Sequence, residues 1–255
     1  MPVKTRMKNP EGLAVVIGVE SYQYVPDATF AYNDAEVFRE YLADTMGFSK
    51  ARVKIITNRN ATLAEFNKLL GSNGWLARNV KPNETDVVVY FSGHGIPDPA
   101  SLQTGLLPFD VDPNYSIGLP LKELYRTLGN LNARTVTVFL DACFTGEARE
   151  GKLLLADSRG MIVTPREVAG GIVVISAAAA GQISGALKDK EHGLFTYYLL
   201  KGLGGEGDGD GDGQLTVSEL ANYVRTNVKE QAALTGREQV PELQGNSEQV
   251  LVSYQ

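Results

Sequence analysis

The chain has 255 residues, of which 43% are hydrophobic, and its formal net charge at pH 7 is -6. This size suffices for one large α/β domain, and the acidic balance argues against a nucleic-acid-binding protein, which needs clustered lysine and arginine. No segment approaches the roughly 20 apolar residues of a membrane span, and the N-terminus lacks the pattern of a signal peptide. One cysteine excludes an intramolecular disulfide, and one cysteine with two histidines is too few for a structural zinc site. We therefore expect a protein of the reducing cytoplasm that binds neither nucleic acid nor membranes.

Short runs of β-branched residues alternate with segments of helical spacing along much of the chain. Such runs are typical of parallel strands buried on both faces, and their alternation with helices predicts βαβ units. The predicted strands, in chain order, are Leu13–Val19, the weaker Arg52–Thr57, Asp86–Phe91, Thr135–Leu140, Gly171–Ser176 and Gln249–Ser253. The predicted helices are Asn33–Met46, Leu63–Ala77 with Thr62 as N-cap, Leu121–Leu128 after Pro120, Leu194–Leu203 and Val217–Ala233. The pattern predicts an α/β fold with a mostly parallel sheet.

A histidine and the single cysteine each follow directly after one of these strands. His94 lies between Gly93 and Gly95, just beyond Asp86–Phe91, and Cys143 comes just beyond Thr135–Leu140. Ligands bind at the carboxyl ends of strands in open α/β sheets, so we expect the two side chains to meet there. A thiol attacks an amide as the thiolate, and a neighbouring imidazole lowers its pKa. We predict Cys143 as nucleophile, His94 as general base, and the backbone N–H groups of Gly95 and Cys143 as oxyanion donors.

Two alternatives bear on this assignment. An isolated cysteine is usually a small core residue, but Cys143 lies beyond the end of the apolar run and is followed by a polar segment. The second histidine, His192, is a rival base. Its charged neighbours indicate a solvated loop, so we expect His192 to be an exposed surface histidine.

The segments 90–95 (YFSGHG) and 141–146 (DACFTG) resemble the paired catalytic motifs of the caspase-like cysteine peptidases. Asp141 stands where animal caspases have glutamine, so the chain looks closest to metacaspases and their bacterial relatives, the orthocaspase type. Phe144 departs from the eukaryotic metacaspases, which often have histidine there. The resemblance covers nearly the whole chain and includes Leu13–Val19, Tyr32–Ala35, Leu107–Asp110, Ile175–Ala178 and Gly193–Thr196.

The resemblance implies a caspase-like fold: a mostly parallel six-stranded sheet with helices on both faces, in a single domain. Residues of about 10–146 would form the half that resembles a large subunit, and about 170–255 the half that resembles a small subunit. It also implies an acidic pocket for a basic P1 residue, built from Asp34, Ser92 and Asp141, and hence cleavage of proteins or peptides after Arg or Lys. Asp34 has an alternative role as a favourable charge at a helix N-terminus.

An acidic, glycine-rich stretch matches the twelve-residue EF-hand loop position by position. Three aspartates at positions 1, 3 and 5, a glycine at 6 and a glutamate at 12 provide oxygen ligands around a sharp turn, and we predict that they bind Ca2+. The predicted metal ligands are Asp208, Asp210, Asp212, Gln214, Thr216 and Glu219. The alternative is a flexible acidic linker. No organic cofactor is expected.

The interval Glu147–Gly170 is polar and carries four basic residues, namely Arg149, Lys152, Arg159 and Arg166. An exposed basic loop suits self-cleavage by an enzyme that cuts after basic residues, although an ordinary charged surface loop has the same composition.

Two other functions remain open. One is a catalytically silent, calcium-dependent interaction module, and the other is a cysteine hydrolase of esters or small amides.

Overall fold

The computed structural model describes residues 1–98, 101, 103–145, 154, 171–179, 182–245 and 248–255. The strands are Leu13–Gly18 (β1), Val53–Thr57 (β2), Asp86–Ser92 (β3), Gly95–Asp98 (β4), Gln103–Leu106 (β5), Leu119–Pro120 (β6), Thr135–Asp141 (β7), Val173–Ser176 (β8), Ala186–Leu187 (β9), His192–Gly193 (β10), Gln214–Thr216 (β11), Glu242–Gln244 (β12) and Val250–Ser253 (β13). The helices are Ala31–Asp44 (α1), Leu63–Leu70 (α2), Trp75–Asn79 (α3), Leu121–Gly129 (α4), Leu194–Lys201 (α5) and Val217–Leu234 (α6).

The main sheet has six strands in the order β12-β8-β7-β3-β1-β2. All neighbouring pairs are parallel except β12 with β8, which is antiparallel. This arrangement confirms the predicted fold class, a mostly parallel six-stranded sheet. The order also places β3 beside β7, the two strands that lead to His94 and Cys143.

Both faces of the sheet are covered by helices. Successive residues of β3 point to opposite faces of the sheet. Tyr90 packs in the core that contains Phe38 of α1 and residues of α5 and α6. Phe91 packs in the core formed with α2, α3 and α4. Because each face buries its own apolar set, the strands read as continuous apolar runs rather than as an alternating pattern. None of the helices in the described part of the chain combines the length and hydropathy that a membrane span needs.

Some predicted element boundaries differ from the structure for local reasons. The predicted helix Leu63–Ala77 is two helices, since the segment 71–74 places glycines at both ends of a break between α2 and α3. Thr62 does cap α2, and its side chain accepts a hydrogen bond from the Glu65 amide at 3.2 Å. The predicted last strand, Gln249–Ser253, forms as β13 but pairs with β11 outside the main sheet. The sixth strand of the main sheet is β12, which the sequence analysis did not predict.

Candidate active site

The strands β3 and β7 end side by side at the edge where the two motifs begin. Ser92 pairs with Asp141 in the parallel register, and the Gly93 amide donates to the Asp141 carbonyl at 3.2 Å. His94 and Cys143 each come two residues after this last pair, so the register brings the two motifs to the same level beyond the sheet. Gly95 packs directly on the nucleophile segment, because a Cβ placed there would lie 2.5 Å from the Cys143 carbonyl oxygen.

Cys143 is the single cysteine of the chain and is buried, with 5% of its surface exposed. Its Sγ accepts a hydrogen bond from the Ser184 amide at 2.6 Å and lies 3.9 Å from the Ser184 carbonyl oxygen. A backbone N–H aimed at sulfur stabilises a negative charge there, whereas burial and the neighbouring carbonyl oxygen act in the opposite direction. The thiol therefore lies in a polar environment that the sequence did not reveal.

His94 is held in place by two contacts on the β1 side of the sheet edge. The Nε2 atom lies 2.8 Å from the Pro26 carbonyl oxygen, and the imidazole packs against the Tyr22 ring with centroids 4.8 Å apart. A carbonyl oxygen can only accept, so this contact requires a proton on Nε2 and leaves the lone pair of the neutral ring on Nδ1. Nδ1 is then the atom that can take a proton from a thiol.

The structure brings Asp34 and Ser92 into direct contact, and both are fully buried. The Ser92 hydroxyl donates to Oδ2 of Asp34 at 2.9 Å, while His192 Nδ1 and the Gly193 amide lie 2.8 Å and 3.1 Å from Oδ1. Asp34 does lie in the first turn of α1, as the alternative interpretation requires. Its carboxylate, however, accepts hydrogen bonds from β3 and β10, so the side chain also joins three elements at the sheet edge.

Asp141 is equally buried and accepts hydrogen bonds at both oxygens. Ser184 donates its hydroxyl to Oδ1 at 2.8 Å, and Thr196 donates its hydroxyl and amide to Oδ2 at 2.6 Å and 3.2 Å. Tyr90 contacts the Thr196 hydroxyl at 2.7 Å. Ser92 thus contacts one carboxylate through its hydroxyl and pairs with the residue that bears the other, and several donors to both carboxylates come from the segment 184–196.

The expectation that His192 is an exposed surface histidine is wrong. Only 14% of its side chain is exposed, and its ring contacts Asp34. The physical reason is a short hairpin, in which β9 pairs with β10 and the charged residues 188–191 form the turn. The charged residues form the tip of this hairpin, and His192 follows directly after it, where it pairs with Leu187 and its ring contacts Asp34. Local composition does not reveal this contact.

The EF-hand-like loop gathers its three aspartates at one place. Ligand oxygens of Asp208, Asp210 and Asp212 all lie within 4.8 Å of one another. Gly213, at the predicted sharp turn, has φ +83 and donates its amide to Asp208 at 3.0 Å. Oxygen-only ligands around a glycine turn are the donor set that calcium prefers, so the residues present fit this ion.

Glu219, the predicted twelfth ligand, lies at the start of α6 beside this cluster. Its carboxylate accepts from the Thr216 amide at 2.9 Å and hydroxyl at 2.7 Å, which completes a capping box. The hydrogen bond from the Thr216 amide is the main reason that the pKa of Glu219 is lowered. Glu248, a carboxylate that the loop pattern does not include, lines the same surface cleft.

Gln214 and Thr216, the remaining predicted ligands, form the ends of β11, which pairs with the C-terminal strand β13. In this way the loop is joined to the C-terminal segment. Tyr254 donates its amide to the Gly213 carbonyl at 2.9 Å, and the Val217 amide donates to the Gln249 carbonyl at 2.8 Å. The loop is therefore a folded part of the domain in this structure rather than a loose linker.

The comparisons with known proteins agree with this architecture. The model of the caspase domain matches residues 11–251. Caspase-1 from Spodoptera frugiperda superimposes with a TM-score of 0.64 at 16% identity, covering 99% of this chain and 97% of that one. Protein GSU0716 from Geobacter sulfurreducens superimposes with a TM-score of 0.62 at 19% identity, covering 92% of each chain. No curated protein matches the sequence. The chain belongs to the caspase-domain family, which implies a cysteine peptidase.

Proposed function

We propose that the chain is a cysteine endopeptidase that cleaves proteins or peptides after Arg or Lys, with Cys143 as nucleophile and His94 as general base. The observation that carries the proposal is the parallel register of β3 and β7, which ends level at Ser92 and Asp141. Two residues further on, this register supports a meeting of the imidazole and the thiol above two buried carboxylates.

In the proposed reaction, Nδ1 of His94 takes the proton of the Cys143 thiol, and the thiolate attacks the scissile carbonyl carbon. The oxygen of the tetrahedral intermediate is then stabilised by the amides of Gly95 and Cys143. As the intermediate collapses to the thioester, the proton on His94 passes to the leaving amine. Water, deprotonated by the same imidazole, hydrolyses the thioester and restores the thiol.

The preference for a basic residue follows from the charge of the proposed pocket. Asp34 and Asp141 offer two carboxylates, which would bind the guanidinium or ammonium group of a P1 side chain and repel an acidic one. In this structure both carboxylates are engaged by internal donors, including His192 and Ser184. Binding of a P1 cation therefore requires the exchange of some of these hydrogen bonds for hydrogen bonds to the substrate.

Calcium is proposed to bind the EF-hand-like loop through Asp208, Asp210, Asp212 and neighbouring oxygens and to stimulate activity. Helix α5 offers a physical link between loop and pocket. Its first turn includes Thr196, which donates to Asp141, and its last residue is followed by the π-helical segment Gly202–Glu206 that leads into the loop. Eight helical residues span about 12 Å, so an ion that orders the loop can stabilise the helix that contacts the pocket.

Self-processing remains part of the proposal, although Arg149, Lys152, Arg159 and Arg166 lie outside the described residues. A purified chain that cleaves itself after basic residues would yield two fragments, whose new N-termini identify the sites. The Cys143→Ala chain should stay intact. Fragments in that preparation would indicate another peptidase.

The test is hydrolysis of short fluorogenic peptides that end in Arg, Lys or Asp, with calcium or with chelator. We expect cleavage after Arg and Lys that requires Cys143 and increases with calcium. Cleavage after Asp would contradict the pocket assignment. If no peptide is cleaved and a thiol probe does not label Cys143, the chain is the catalytically silent interaction module instead, whereas hydrolysis of small esters alone would favour the other class of cysteine hydrolase.

A further inference from the structure

Gln239 is a buried amide in the segment between α6 and β12, with 1% of its surface exposed. Its Oε1 accepts from the Gly185 amide at 2.7 Å. Its Nε2 donates to the Ala177 carbonyl at 2.9 Å and to the Ser184 hydroxyl at 3.3 Å. One side chain thereby ties the residues that follow β8 to the segment 184–185.

The part of the chain that Gln239 holds is the part that contacts the nucleophile. Ser184 is fully buried, and its amide donates to Sγ of Cys143 at 2.6 Å. Because its hydroxyl accepts from Gln239, the hydroxyl proton is directed to Asp141, which lies 2.8 Å away. The Ser184 amide thus contacts the thiol, and the Ser184 hydroxyl contacts Asp141 of the proposed pocket. Gln239 orients the Ser184 amide and hydroxyl through its hydrogen bonds to the Ser184 hydroxyl and the Gly185 amide.

We propose that Gln239 is a positioning residue that holds the Ser184 N–H on Cys143 and so stabilises the thiolate. The physical basis is that a hydrogen bond donated to the charged form of an acid lowers its pKa. Without the three hydrogen bonds of Gln239, the segment 184–185 keeps its hydrogen bonds to Asp141 and to the Leu194 amide. It loses the bonds that fix the Gly185 amide and the Ser184 hydroxyl, and we expect the Ser184 N–H group to shift away from sulfur. The consequence for catalysis rests on the proposed peptidase function, but the effect on the thiol does not.

The experiment measures the rate at which iodoacetamide alkylates Cys143 as a function of pH. The chain has a single cysteine, so the rate reports on that thiol alone. Changed access alters the plateau of the profile, whereas a changed thiol pKa moves its midpoint. In Gln239→Ala we expect the midpoint to rise by about one to two pH units, the shift that corresponds to the loss of one hydrogen bond to a charged group.

Two further variants make the result decisive. Gln239→Leu keeps most of the side-chain volume and should raise the midpoint in the same way. Gln249→Ala is the matched control, because it removes a half-buried glutamine amide that donates to Thr137 at 3.0 Å on another part of the sheet. Its midpoint should equal that of the wild type. Thermal unfolding establishes which variants are folded at the assay temperature.

An unchanged midpoint in a folded Gln239 variant, or an equal shift in the Gln249 control, would overturn the proposal. Failure of both Gln239 variants to fold would overturn it in favour of a purely structural role. A raised midpoint in a protein whose wild type cleaves no peptide would retain the positioning role and refute the peptidase function. Peptide cleavage by the wild type, together with an unchanged midpoint in the Gln239 variants, would support the peptidase function and refute the positioning role.

Discussion

Substitution of Asp34 by asparagine tests the proposed pocket with a minimal change of shape. The carboxylate is fully buried and accepts hydrogen bonds from Ser92, His192 and Gly193. Asparagine keeps one carbonyl oxygen for these donors and removes the negative charge. Loss of one partner of a buried, hydrogen-bonded ion pair typically costs about 2–5 kcal/mol. We therefore expect kcat/KM for Arg peptides to fall roughly 30-fold to several-thousand-fold.

The assay compares peptides that end in arginine with peptides that end in citrulline, which has the same shape as arginine without its charge. The wild type should prefer arginine strongly, and Asp34→Asn should lose much of that preference while its activity on the citrulline peptide changes little. Glu36→Gln is the matched control, since Glu36 lies on the same helix and pairs with Arg39 at the surface. An equal loss on both peptides, or an equal loss in the control, would refute the assignment of Asp34 to the P1 side chain.

Two further predictions concern the EF-hand-like loop and the stability of the sheet. Glu219→Gln should weaken calcium binding at least tenfold in isothermal titration, because position 12 of an EF-hand loop supplies a carboxylate ligand. The control is Glu230→Gln, a change of an exposed residue on the same helix, which should leave calcium binding unchanged. Burial raises the pKa of Asp86, but the hydrogen bonds from Arg134, Thr135 and Asn9 together with the charge of Arg134 outweigh it, so the net pKa is lowered. Ionised Asp86 therefore stabilises the fold above its unfolded pKa of about 3.9, and this contribution disappears as pH falls through the folded pKa. Asp86→Asn should lower the Tm at pH 7 and reduce the further loss of Tm on acidification; an unchanged pH profile would contradict this.

The five strands β1, β2, β3, β7 and β8 of the main sheet were predictable because burial on both faces leaves continuous β-branched runs in the sequence. The same logic predicted that the motifs after β3 and β7 would share one edge of the sheet. The strand β12 was not predictable, because its three residues, Glu242–Gln244, carry no such run. It forms a strand because it pairs in the antiparallel direction with β8, along the edge of β8 that does not contact β7.

The donors to the two carboxylates escaped prediction for a related reason. Ser184, Thr196 and the Gly193 amide carry no charge and have no characteristic spacing, and each acts through an approach of α5 and the preceding hairpin to the sheet edge. Such an approach is set by packing over a long sequence distance. The aspartates of the EF-hand-like loop could be predicted, because the spacing that brings their carboxylates together lies within twelve consecutive residues.

The hydrogen bonds around Asp34 and Asp141 explain how two carboxylates can be buried in a stable fold. A buried carboxylate is costly unless donors satisfy its oxygens, and Ser92, His192 and Thr196 supply donors from three different elements. An arginine side chain carries five N–H groups and can supply equivalent donors together with a positive charge. The closed arrangement and a substrate-bound arrangement would therefore satisfy the same oxygens in two ways. The proposed selectivity for a basic residue would then follow from the positive charge of the substrate, which the internal hydroxyl and amide donors lack.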